Sequence, residues 1–527
     1  MNLLPGTSQV IAALAFLGSL TSATLTSSTS SSTQTGATYP NGFDISKSWG
    51  NLSPYKDGNF GLPKGVPHGC ELSQAHVLHR HAERFPTSGL LNVDAMRNFH
   101  SKLVNYSKAH PSKAIGRGPL RFLNDWTYLL GEDLLLASGA ATEDTAGADF
   151  WRRYGRLLYR SEPGAAAWDP SLNKYPNGTS RPKPVFRTTS QSRILESARW
   201  WLSGFFGNIG ANSSYSQYDL VIIPEADGFN NTLASNKVCP SDSDVGDNTA
   251  SDFISRYSKK ALTRLSTFLP SEFNLTALDV LAMQNLCPYE TATLGTSAFC
   301  SLFTEQEWRD YAYSIDLSYY IDYSFGSPTG RADGIGYVLE LAARLQLKLI
   351  HSSDTSINST YDDNTAQFPM DQPFYMDMSH ENIILSVLTA LGLDHFKYGP
   401  HGLRSSVDHA IPHTFQLGNM TPFGARLVSE IWTCPYNTSF NGLSSTLYTN
   451  PDLSTFTNTK DYIRFVLNNA PLPLSGLPGC EKHSKNGFCP VDTFLRTVPL
   501  LKKDAMYQYA CFGNYSIDGQ VGNGQPE

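Results

Sequence analysis

Leu78-His79-Arg80-His81-Ala82-Glu83-Arg84-Phe85-Pro86-Thr87 closes a short apolar run that begins at Ala75. A strand that ends in a charged cluster is the unit from which the rest of the chain can be read. His81 stands between two guanidiniums, Arg80 and Arg84. Fixed positive charge pushes an imidazole toward its neutral, nucleophilic form. Guanidinium forks match the oxygens of a phosphoryl group. The simplest chemistry for this arrangement is attack by His81 on phosphorus.

Two further blocks repeat the pattern. Pro184-Val185-Phe186-Arg187-Thr188-Thr189-Ser190 reads as a strand ending at Arg187. Ser190 is expected to cap a helix whose apolar stripe includes Ile194, Leu195, Ala198, Trp201 and Leu202. In Phe374-Tyr375-Met376-Asp377-Met378-Ser379-His380-Glu381 a strand again runs into a polar cluster. Ile383, Ile384, Val387, Leu388 and Leu391 follow at helical spacing, and Gly392 stops the helix. With Ser379 as N-cap, His380 and Glu381 fall in the first turn. Three strands thus deliver charge at their C-terminal ends, where open α/β sheets bind ligands. Helix N-termini at those ends favour an anion.

Tyr218 to Pro224 reads as another buried strand, and Asp461 to Asn468 as a late one. Between the second and third blocks the pattern is helical over Ser251–Leu269, Leu275–Leu286, Thr304–Tyr323 and Gly334–Leu349. The predicted fold is α/β: a twisted, mainly parallel sheet flanked by helices, with a smaller inserted helical domain. One domain is expected over residues 66–515, with its helical lobe at approximately 225–350 plus parts of 115–160.

The chain has 527 residues, 40% hydrophobic, enough for a large core. Its formal net charge of -7 argues against a nucleic-acid binder, which would show a basic face. Residues 1–23 read as a secretory signal, with the run Val10–Leu20 too short to span a bilayer. Residues 24–40 are mostly Ser and Thr and read as a disordered leader. N-x-S/T sequons occur at Asn51, Asn105, Asn177, Asn212, Asn230, Asn274, Asn358, Asn419, Asn437 and Asn514. The eight cysteines form no C-x-x-C pair, so disulfides are the better reading than zinc. Together these features place the protein outside the cell, without stable membrane insertion.

Other polar groups have blander readings. His76 points to the opposite strand face from His79 and His81, and no acid or Cys lies at ligand spacing, so no metal site is expected. His79 reads as a packed neighbour and Glu83 as a surface or loop carboxylate pairing an arginine. His395, His401, His409 and His413 read as solvated loop histidines. Arg117, Arg121, Arg152 and Arg153 read as helix-surface charges.

The blocks resemble a known family. RHAERFPT is similar to the R-H-G-x-R-x-P signature of histidine acid phosphatases, the branch 2 histidine phosphatases that include fungal phytases. PVFRTTSQSRILESARWW resembles the family's second-arginine block, and DMSHENIILSVLTALGL its His-Asp block. VIIPEADGFNNTL, LCPYETA, SPTGRADGIGYVLELAARL and TPFGARLVSE extend the similarity from about Cys70 to Cys511. The resemblance implies a phosphoglycerate-mutase-like fold and a two-step acid phosphomonoesterase acting on small phosphate monoesters, phytate among them. In that scheme His81 becomes phosphohistidine. Arg80, Arg84, Arg187 and His380 hold the phosphoryl oxygens, and Glu381 donates a proton to the leaving alkoxide. No metal or organic cofactor is implied. The implied disulfides are Cys70–Cys434, Cys239–Cys511, Cys287–Cys300 and Cys480–Cys489.

Two positions depart from the family pattern. Ala82 replaces Gly, so the loop there must accept an ordinary L-residue conformation. Glu381 replaces Asp, an acid one methylene shorter, with Asp377 as the fallback donor. The alternatives are a dedicated phytase and a non-catalytic phosphate-binding extracellular protein.

Overall fold

The computed structural model describes residues 42–159, 169–175, 177–207, 214–241, 245–399, 402–440, 443–444, 458–483, 486–517 and 519–527. The expected signal and leader, the Asn212 sequon and His401 lie outside them.

The strands are β1 (Val66–Pro67), β2 (Glu71–Arg80), β3 (Val185–Thr189), β4 (Asp219–Ile223), β5 (Phe374–Ser379), β6 (Arg426–Pro435), β7 (Leu443–Ser444), β8 (Thr459–Leu467), β9 (Ala470–Pro471) and β10 (Phe488–Pro490). β1 and β7 pair by themselves. The others form one sheet in the order β10-β8-β6-β2-β5-β3-β4, with β9 beside β8. β2, β5, β3 and β4 run parallel, and β6, β8 and β10 extend the sheet with antiparallel pairings. The three strands read from the charged blocks are therefore adjacent, β2 next to β5 next to β3. β3 and β5 are buried at every position, as expected for parallel strands covered on both faces.

Alternate residues of these strands feed two cores. Val77, Phe186 and Phe374 face a layer containing Phe150, Trp201 and Phe205. Leu78 faces the opposite core, with Ile383, Ile384 and Phe465. The first layer comes from α2 (Ala137–Leu158) and α3 (Ser192–Phe206), which follow α1 (Ala95–Ala109). The helical pattern between the blocks resolves into α4 (Val245–Ser266), α5 (Ala277–Leu294), α6 (Glu305–Tyr323) and α7 (Gly330–Gln346). Capping boxes at Thr276/Asp279 and Thr304/Glu307 begin α5 and α6. After the short α8 (Ser359–Asp362) comes α9 (Glu381–Ala390), which carries the third block. A Cβ at Gly334 of α7 would lie 2.0 Å from the Ser386 carbonyl oxygen, so glycine is what lets α7 cross α9 so closely.

Two caps differ from expectation. Ser379 is the last residue of β5 and its hydroxyl donates to the Leu233 carbonyl at 2.6 Å, leaving His380 as N-cap of α9. Ser190 accepts the Glu225 N–H at 2.9 Å, and α3 starts after Gln191 instead. In both places the hydroxyl bonds a distant segment rather than capping the helix that follows. All four disulfides implied by the resemblance are formed.

Candidate active site

β2 and β5 end side by side, with Arg80 opposite Ser379. The chain at His81 is held from both sides: its N–H donates to the Ser379 carbonyl at 3.1 Å and its carbonyl accepts from Gly424 N–H at 3.1 Å. The His81 ring is fully buried, and Nδ1 lies 2.8 Å from the Ala82 carbonyl. A carbonyl only accepts, so Nδ1 carries the hydrogen and the lone pair is on Nε2. Burial pushes this imidazole well below its ordinary value; Glu381 opposes that, while Arg80 and Arg193 reinforce it. The buried Ala82 keeps a negative φ, so the replaced glycine imposes no strain.

Glu381, at the first turn of α9, meets His81 directly. Its Oε2 lies 3.5 Å from His81 Nε2 and 3.0 Å from Arg80 Nε. Its Oε1 accepts from Arg80 Nη2 at 3.1 Å, Asn51 Nδ2 at 3.1 Å and the Tyr319 hydroxyl at 3.3 Å. Arg84 Nη2 is 3.9 Å away. Burial alone would raise this carboxyl; Arg80, His81 and Arg84 overcome it and hold the group well below the usual range. Arg80 is anchored besides by the Asn51 and Thr421 carbonyls, at 2.5 and 2.6 Å. Arg84 donates to the Tyr289 hydroxyl at 3.2 Å. The His380 ring centroid lies 5.9 Å from that of His81, and its Nε2 is 2.9 Å from Glu225 Oε2. Burial would raise Glu225, but His380, then Thr189 and Arg193, bring it down to about 2.

One expected ligand is not in this cluster. Arg187 sits inside β3, level with Val221 and Asp377, and not at the strand end. Its guanidinium is saturated by Asp377 at 2.7 Å, Glu340 at 2.5 Å and Asp362 at 3.3 Å. Arg344 binds the other side of Asp377 at 2.9 Å. That also removes Asp377 as a fallback donor. The arginine that faces the cluster is Arg193, in the first turn of α3. It is 7% exposed, and burial and then Arg84 lower it to about 10. An arginine six residues past Arg187, just after the strand end, was the available signal. Glu225, Asn51 and Tyr319 had none, because each comes from a distant segment.

Other expectations also change. Glu83 is buried, not on the surface, and burial raises its carboxyl. His413 is buried against Asp316 of α6 at 2.9 Å rather than solvated, while His409 stays exposed to solvent and bonds Asp310 at 2.8 Å. The amide of Asn51, the nitrogen a glycan would use, is buried against Glu381 and Tyr319.

Ligand-type atoms of His81, His380 and Glu381 converge within 4.8 Å, close enough to share a metal ion. Arg80, Arg84 and Arg193 add three positive charges around the same space, which repels a cation and favours an anion with several oxygens. The other convergence, Cys239, Asp333 and Cys511, has its sulfurs committed to a disulfide.

Residues 71–468 match the family model of the histidine phosphatase superfamily (branch 2), and the chain belongs to that family. It is 32% identical over 410 residues to Phytase A of Emericella nidulans, covering 75% of this chain and 80% of the relative. It is 29% identical over 463 residues to Phytase A of Aspergillus fumigatus, covering 85% and 87%. Among solved structures, a phytase from D. castellii aligns with a TM-score of 0.66 at 21% identity over 90% of this chain and 89% of the other. A Bifidobacterium longum multiple inositol polyphosphate phosphatase bound to inositol hexasulfate aligns with a TM-score of 0.52 at 12% identity over 81% and 92%. Both structural matches show the same fold.

Proposed function

We propose that this branch 2 histidine phosphatase, a phosphoric monoester hydrolase, works through a phosphohistidine on His81, with Glu381 as proton donor. The observation that carries the reading is the bare Nε2 of His81, 3.5 Å from Glu381 and ringed by Arg80, Arg84, Arg193 and His380. In the first step the Nε2 lone pair forms a bond to phosphorus, the P–O bond to the alcohol breaks, and Glu381 gives the leaving oxygen its proton. In the second, Glu381 takes a proton from water, the water oxygen attacks phosphorus, and the P–N bond breaks to release phosphate. The guanidiniums and His380 stabilise charge on the equatorial oxygens.

At rest Glu381 occupies the Arg80 fork itself. A phosphoryl dianion entering that fork displaces the carboxylate, takes over its cationic partners and so raises its affinity for a proton. The acid is armed by the substrate it serves. Catalysis is expected on the acidic side, where the donor is protonated.

The four disulfides support an extracellular setting. Relatives named Phytase A make myo-inositol hexakisphosphate one ester to test beside simple monoesters. The deciding experiment is turnover of p-nitrophenyl phosphate across the acidic range by wild type and His81→Ala, with acid-quench trapping of labelled phosphohistidine. Turnover should fall by roughly 10⁴-fold or more. A variant that retains turnover, or a label on another residue, would overturn the assignment.

A further inference from the structure

His79, the other imidazole of the opening block, stands one residue before Arg80. Its ring points from β2 toward α2 and α3, with centroids 6.0 Å from Phe150 and 6.4 Å from Trp201. Into that aromatic wall α2 places an acid, Glu143, and both side chains are fully buried. His79 Nε2 and Glu143 Oε2 face each other at 3.6 Å. Neither Glu143 oxygen, nor Nε2, has a hydrogen-bond partner among the described residues. That separation is just longer than a finished hydrogen bond. Buried polar atoms left unbonded are costly, so two this close gain by closing on a shared proton.

The far end of the ring says where that proton sits. His79 Nδ1 is 2.7 Å from the Arg80 carbonyl, which only accepts, so Nδ1 carries a hydrogen. A second hydrogen on Nε2 would set a buried imidazolium beside a buried carboxylate, which costs desolvation twice. Burial and then Arg426 lower His79 to about 3, against the pull of the Arg80 carbonyl. Burial and then Glu83 raise Glu143 well above the usual carboxyl range, against Arg426 and Arg80. The proton belongs to Glu143, and Nε2 is the acceptor.

This pair reaches the nucleophile through the backbone. The Arg80 carbonyl and the His81 N–H are the two poles of one peptide unit. His79 Nδ1 grips the oxygen, and the Ser379 carbonyl accepts the N–H at 3.1 Å. A peptide held at both poles has a fixed plane, and His81 is mounted on it. Hydrogen bonds in series polarise one another, so donation into Nε2 tightens the grip of Nδ1. The series runs from α2 across β2 to the end of β5, one residue before His380.

We propose that His79 and Glu143 are positioning residues for the phosphoryl transfer: the Glu143 carboxyl donates to His79 Nε2, and His79 Nδ1–H orients the peptide that carries His81. This rests on His81 as the nucleophile. A misaimed nucleophile loses rate more than binding, because near-attack geometry is what the fixed peptide secures.

The test is the first-order rate constant of phosphohistidine formation at saturating p-nitrophenyl phosphate, read by rapid acid quench on the intact protein. That constant does not depend on how much of a variant is folded, so a merely structural role would not move it. Glu143→Met, apolar and of similar size, should lower it by about tenfold, with KM little changed. Glu143→Gln, whose amide keeps an N–H for Nε2, should restore most of the loss. His79→Phe, which removes the Nδ1 donor, should lower it by about tenfold or more. Neutron diffraction from wild-type crystals tests the same proton without any variant: deuterium is expected on His79 Nδ1 and on the Glu143 carboxyl, with none on Nε2. Deuterium on Nε2, a rate constant unmoved in both Glu143→Met and His79→Phe, or a Gln variant as slow as the Met variant would overturn the proposal. If the label still forms on His81 in that event, only the positioning role falls. If His81→Ala retains turnover, the nucleophile falls with it.

Discussion

Two buried charge clusters sit on neighbouring strands and do opposite things. Around Arg187, the guanidiniums of Arg187 and Arg344 face the carboxyls of Asp377, Glu340 and Asp362. Burial and Glu340 push Asp362 up to about 9, so it holds its proton and the cluster balances at two charges of each sign. Around His81, Arg80 and Arg84 face one carboxylate, Glu381, while Arg193 reaches Asp133 at 3.5 Å and Glu225 binds His380. Positive charge is left over. The closed cluster is internally satisfied and holds strands together; the open one has the charge to receive an anion. The same residue type is structural or ligand-binding according to whether its partners come from the fold or from solution.

The sharpest way to break this contrast is at Glu381. Glu381→Gln should lower kcat by about 10²–10⁴-fold on alkyl phosphates. The loss should be smaller on p-nitrophenyl phosphate, whose leaving group needs less protonation. Equal losses on both would remove Glu381 from the donor role.

The two arginines come next. Arg193→Met should cost about 10²–10³-fold in kcat/KM with little change in melting temperature. Arg187→Met strands buried carboxylates and should destabilise by about 3–5 kcal/mol, while the folded fraction keeps its activity. Thermal denaturation beside kinetics separates them, and a reversed pattern would put Arg187 back in the site.

The pH profile sharpens the picture further. Glu381 is held low at rest and raised once a dianion displaces it from Arg80, so the basic limb of kcat should lie about one unit or more above that of kcat/KM. Coincident limbs would show that substrate does not arm the acid.

The smallest effect concerns stability. The fold favours protonated Asp362: its folded value of about 9 lies above the unfolded 3.8. Its contribution is complete below the unfolded value and is lost as pH rises toward the folded one. Asp362→Asn, which mimics the protonated form, should raise the melting temperature by a few degrees near neutrality and leave it unchanged in strong acid. A loss of stability near neutrality would mean that Asp362 is ionised in the cluster.

Much of this was legible in the chain. The strand-to-charge blocks placed β2, β3 and β5, their C-terminal ends located the site, and the spacing after Glu381 gave α9. What misled was the assumption that a charged residue read at a strand end is at the strand end. Arg187 lies two residues inside β3, and the arginine that faces His81 is Arg193 in the next helix. Glu83 and His413 misled in a related way, since a polar residue in a loop looks solvated until the packing buries it.

The sequence by itself determined His81 with its flanking arginines, the His380-Glu381 pair and the α/β class, because these depend on neighbours within a turn or a strand. Only the tertiary structure decided which second arginine faces His81, that Glu225 holds His380, and that Asn51 binds Glu381. Those contacts join residues 155 and 330 positions apart. Whether such a charge meets a partner is set by burial and distance, which no local pattern encodes.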